Sequence, residues 1–129
     1  MPKTGDLFIT TLLQAHLEWG EHRHTNSRGI VIGEGYLQIP SDVAYDFDIT
    51  NNSCTVRSAE YDCSTSDGYL TNEKILAAGN QHRAEYAKQF QGSGNLKILG
   101  DWYNHINANI GDQIEIRFTS PTEILLTKL

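Results

Sequence analysis

With 129 residues and 39% hydrophobic content, the chain suffices for one core and is short for two, so a single domain over 1–129 is expected. Sixteen acidic against ten basic residues give a formal charge of −6. That balance argues against non-specific coating of nucleic acid, which needs many cations to release counterions, but leaves room for a small cationic face.

No stretch approaches the ~18 continuous apolar residues of a membrane helix. MPKTGDLF also lacks the apolar core of a secretory signal, so a cytoplasmic protein with no membrane contact is expected. Eleven Gly and six Tyr beside many Ile, Thr and Val favour β structure with frequent turns. Cys54 and Cys63 lack the spacing of a metal site or a disulfide framework.

In chain order, residues 7–19 read either way. Leu7, Ile9, Thr11, Leu13, Ala15, Leu17 and Trp19 share one face of a strand, while Asp6 can cap a helix; an extended strand is favoured. Residues 20–29, GEHRHTNSRG, hold no apolar side chain and are expected as a loop or exposed arm. Apolar runs at 30–32 and 36–39 flank Gly33-Glu34-Gly35 as a hairpin or a bulged strand. Pro40 ends that strand, and Ser41 is placed to cap a short helix carrying Val43, Ala44 and Phe47. Residues 54–57 open the next strand.

The middle, 58–95, is polar. Residues 64–68 form a turn cluster, and Thr71 or Asn72 is expected to cap a short helix through Ile75, Leu76 and Ala77, stopped by Gly79. Residues 84–90 suit a strand or a short helix, and 91–95 a loop. Residues 96–99 read as a strand broken at Gly100-Asp101. Asp101 is the expected cap of a helix over 102–109, with Trp102, Ile106 and Ile110 as its apolar stripe. Gly111 supplies a positive φ. After it, Ile114, Ile116 and Phe118 alternate with polar residues as in a half-buried strand. Ser120-Pro121-Thr122 turns the chain into a last strand at 124–126. The stretches around 39–49 and 98–112 share a strand, short helix, turn, strand order, the pattern of two β-α-β-like halves.

Three segments, GEGYLQIP (33–40), AKQFQGSGNLK (87–97) and GDQIEIRFTSPT (111–122), resemble the DNA-binding pseudobarrel. That is the fold of the plant B-three transcription-factor domain and of restriction-endonuclease effector domains such as the EcoRII N-terminal region. The closing hairpin is also similar to the AbrB-type swapped hairpin. The resemblance implies a mostly β (α+β) fold, an open seven-stranded pseudobarrel with two short helices, whose two loop arms grip the major groove of duplex DNA. The arms would fall at 21–28 and within 62–95. A restriction, defence or mobile-element setting in bacteria would suit such a module, as monomer or homodimer.

The residues carry compatible chemistry. His22, Arg23, His24, Thr25, Asn26, Ser27 and Arg28 concentrate donors in one segment. Arg pairs bidentately with guanine, Asn with adenine, and Ser or Thr with phosphate. Asn80, Gln81, His82, Arg83, Lys88, Gln89, Gln91, Ser93, Asn95 and Lys97 form a second donor-rich stretch, where Arg83, Lys88 and Lys97 face one acid, Glu85. The acids Asp42, Asp46, Asp48, Asp62 and Asp67 are then expected to gather elsewhere. Glu18, Glu21, His22 and His24 are ligand types, but no second cluster completes a metal shell. No nucleophile or acid–base set stands out and no phosphate loop is present, so a non-enzymatic module without cofactor is expected. The alternative is a small β-barrel binding a small molecule or a partner protein.

Overall fold

The computed structural model describes residues 2–12, 35–51, 59–79, 86–95 and 97–129. Strand β1 (Leu7–Thr11) buries Phe8 and Thr10, and Leu12 just beyond it, and turns Leu7 and Ile9 outward. The strand is as expected, but its inner face is the opposite one. LFITTL is apolar or β-branched at every position, so local pattern cannot set the parity; pairing does, placing Phe8 against Ile116 and Thr10 against Ile114. Residues 13–34, with Leu13, Ala15, Leu17 and Trp19, lie outside the described residues.

Strand β2 (Leu37–Gln38) leads to helix α1 (Ser41–Asp46). Ser41 is not its cap. The residue before the helix is Pro40, at φ −59° and ψ 147°, whose carbonyl accepts the Ala44 N–H, and no side chain caps the end. The fixed proline φ makes the break, so Ser41 already begins the helix. Phe47 closes α1 and sets its ring 6.4 Å from both Phe8 and Phe118.

Strands β3 (Glu60–Thr65) and β4 (Glu73–Ala78) pair antiparallel through Tyr61↔Ile75 and Asp62↔Lys74. The helix expected through 75–77 is therefore a strand. Ile75 and Ala77 point into the core, and β3 and β5 (Gln89–Gly92) supply backbone partners on both sides. A lone helix of that length would be marginal without such packing.

Helix α2 (Ile98–His105) starts earlier than the sequence pattern indicates. Ile98 and Leu99 lie in its first turn rather than in a strand, and Asp101 sits in that turn rather than capping it. The buried set Ile98, Leu99, Trp102 and Tyr103 has helical spacing and fixes the register. Ile110 falls beyond the helix and is exposed.

The closing unit is as expected. Gly111 has φ +95°, and β6 (Gln113–Ser120) buries Ile114, Ile116 and Phe118. Pro121-Thr122 turns into β7 (Glu123–Lys128), which buries Ile124 and Leu126.

The strand order is β1-β6-β7-β3-β4-β5-β2, antiparallel throughout except β3–β7. The sheet curls strongly. Tyr61 on β3 meets Phe118 on β6 at 5.9 Å and Phe90 on β5 at 5.5 Å, edge to face. Strands two places apart in a flat sheet lie about 10 Å from each other, so only inward curvature brings these rings together. The described residues thus form a mostly β, open seven-stranded barrel with two short helices, while the strand expected at 54–57 lies outside the described residues. Cys63 is a free thiol sealed in the core, pushed up to about 12 by burial and by nearby Glu73. Among the described residues, no helix is long and apolar enough to cross a membrane.

Candidate nucleic-acid interface

Strand β5 alternates cleanly. Phe90 and Gly92 face the core, and Gln89 and Gln91 stand on the outer face. Gln89 Nε2 donates to Gln91 Oε1 at 3.0 Å. One hydrogen bond between two primary amides satisfies neither fully, so the pair still presents both donor and acceptor capacity outward. The register sets Gln38 of β2 directly opposite Gln89. Gln38, exposed between buried Leu37 and Ile39, extends the amides across two strands. Sequence reading missed Gln38 because only the β2–β5 pairing brings it to Gln89.

Two exposed cations flank β5 in sequence, Lys88 with the strand parity of Phe90 rather than of Gln89. Lys88 is exposed just before β5, and Lys97 is exposed where the chain enters α2. Asn95 Oδ1 accepts the Lys97 N–H at 3.1 Å, so Asn95 shapes the turn into α2. Ser93 is less suited to phosphate than its type implies. Its hydroxyl donates to Glu60 Oε2 at 2.8 Å, which places a carboxylate beside it. Of the second donor-rich stretch, then, Gln89 and Gln91 form the strip, Lys88 and Lys97 are exposed before and after β5, and Ser93 and Asn95 hold local structure. His22, Arg23, His24, Thr25, Asn26, Ser27, Arg28, Asn80, Gln81, His82 and Arg83 lie outside the described residues.

The described flanks of those two segments fall at opposite ends of the strip. β2 runs antiparallel to β5, so Gly35, which follows 13–34, sits where β5 finishes. Gly79 and Tyr86, which flank 80–85, sit where β5 starts, with Lys88 N–H donating to Ala78 O and Ala87 N–H to Ile49 O.

Of the five acids, Asp42, Asp46 and Asp48 lie on or just after α1, and Asp62 and Asp67 lie on β3 and the turn after it. Asp42 and Asp46 are exposed on α1, Asp62 pairs with Lys74 on the outer face of β3–β4, and Asp67 is in the turn after β3. Asp67 is the most engaged: its Oδ1 accepts from Thr65 Oγ1 at 2.5 Å and Tyr69 N at 2.9 Å, and its Oδ2 from Trp102 Nε1 at 3.1 Å. The Thr65 hydroxyl first, then those N–H groups and nearby His105, hold its carboxyl below the ordinary value. Tyr69 lies flat on His105, ring centroids 4.1 Å apart. These contacts tie the turn 66–72 to α2.

Comparison of the sequence with models of known families and with curated proteins finds no match.

Proposed function

We propose that the protein is a non-enzymatic module that binds duplex DNA, with the β2–β5 outer strip facing the groove. The observation that carries this reading is the amide strip Gln38, Gln89 and Gln91, with exposed Lys88 and Lys97 on either side of β5 in sequence. Glutamine amides match the donor–acceptor edge of adenine in the major groove, and each well-placed bidentate pair discriminates by about 1–3 kcal/mol. The lysines contribute phosphate contacts, few enough to agree with an acidic chain.

The test is an electrophoretic shift with a pool of random duplexes at low salt. The parent is expected to retain duplex with a shallow salt slope, and Lys88→Ala and Lys97→Ala each to reduce that slope by about 1 without changing the selected sequence. Gln89→Ala with Gln91→Ala is expected to relax the selection. No retention by the parent at low salt would refute the proposal.

One observation favours a protein partner instead. Leu7 and Ile9, 39% and 46% exposed, lie on the outer face of β1, which pairs only with β6 among the described strands. Binding through that face would be insensitive to Lys88 and Lys97.

A further inference from the structure

The strip is flanked by two backbone roots, and each is held by one of the short helices. At the first, β2 is only two residues long and pairs with β5 at Leu37↔Phe90 and Gln38↔Gln89. So short a ladder cannot fix its own position. Helix α2 does so from beneath. Buried Gly35 lies against Gly100, so close that a Cβ on Gly35 would be 2.8 Å from Gly100 N. One turn on, the buried Tyr103 hydroxyl donates to Tyr36 O at 2.8 Å.

At the second root, the chain leaving α1 passes Ile49, Thr50 and Asn51, all buried. Ala87 N–H donates to Ile49 O, Thr50 bridges Tyr86, and Tyr45 of α1 meets the Tyr86 ring edge-on at 5.6 Å. Fully buried Asn51 donates its Nδ2–H to Gly79 O at 2.8 Å. Gly79 is left-handed at φ +75°, and Lys88 Cβ lies 3.0 Å from where its own Cβ would stand. Asn51 thus ties the chain leaving α1 to the end of β4, and the same chain holds Ala87 through Ile49 O, beside the start of β5.

We propose that Asn51 and Tyr103 are positioning residues, side chains that touch no ligand but set the two ends of the β2–β5 strip through the Gly79 and Tyr36 carbonyls. The proposal rests on the duplex-binding reading for its purpose and on the geometry alone for its mechanics, so the test separates the two. Site-resolved amide exchange of the full chain is compared for the parent, Tyr103→Phe and Asn51→Ser. Tyr103→Phe keeps the ring and is expected to speed exchange at Leu37 and Ile39 by roughly threefold or more. Asn51→Ser is expected to do the same at Ala87 and Lys88, and in both variants Ile114, Ile116 and Phe118 on β6 stay as in the parent. Unchanged exchange at the named amides, or equal acceleration on β6, overturns the proposal; if Asn51→Ser fails to fold, Tyr103→Phe decides.

Duplex affinity of the same proteins gives the second readout. Tyr103→Phe is expected to weaken the parent but not to weaken Gln38→Ala further, whereas full additivity contradicts positioning. A parent that binds no duplex defeats the DNA reading, and the exchange data still judge the clamps.

Discussion

A methyl group added at Gly35 would stand 2.8 Å from Gly100 N, 2.9 Å from its Cα and 3.1 Å from Tyr103 Cε2. Two of those three atoms are backbone, which cannot swing aside as a side-chain end does. Gly35→Ala is therefore expected to push β2 off α2 and to destabilise the fold by about 1–3 kcal/mol, as overpacking of a filled interior does. Thermal unfolding of the variant checks this, and an unchanged midpoint would show that the contact is slack. The glycine in GEGY is legible in the sequence as a special backbone position, but its reason is not. Gly100 lies 65 residues away in sequence, and only the docked helix reveals the approach.

Elements were legible wherever one face met the core and the other met water. β6 shows this plainly, with Ile114, Ile116 and Phe118 inside and Gln113, Arg117 and Thr119 outside. β4 hides its period because the outer-facing Leu76 is also apolar and half-buried beside Gln91, so Ile75-Leu76-Ala77 imitates a helix segment. The start of α2 is hidden for a related reason. A short apolar run suits either element, and Ile98 and Leu99 are assigned to the helix by packing beside Trp102 and Tyr103.

The turn between β3 and β4 is tied to α2 by Asp67, and this link gives a pH dependence. The Asp67 carboxyl titrates below its ordinary value, so its contribution is complete above that value and is lost as pH falls through the depressed one. Asp67→Asn is expected to lower the melting temperature slightly near neutrality and to flatten its decline on the acid side. Parallel profiles for parent and variant would show that the link contributes nothing. Because Asp67 is exposed, the effect is modest.

At the scale of the whole molecule, the sheet curls around a ring cluster, with Tyr61 between Phe90 and Phe118 and Phe47 between Phe8 and Phe118. That curvature and the order β1-β6-β7-β3-β4-β5-β2 place β5 and β2 together at one side of the sheet. The β character was legible from composition and turn spacing, whereas the count of two short helices was implied only by the pseudobarrel resemblance, since local pattern also read a helix through 75–77. The strip was half legible: Gln89 and Gln91 stand out in a donor-rich run, but Gln38 joins them only through long-range register. Of the acids expected to gather, Asp62 pairs with Lys74 and Asp67 accepts from Trp102, partners that only the long-range fold supplies.

The most direct measurement is titration of a short duplex into isotope-labelled protein at low salt, following the side-chain amide signals of Gln38, Gln89 and Gln91. Shifts concentrated at those amides and at Lys88 and Lys97, fading as salt is raised, are the predicted result. Shifts confined to Leu7–Thr11, or none at all, would contradict the account.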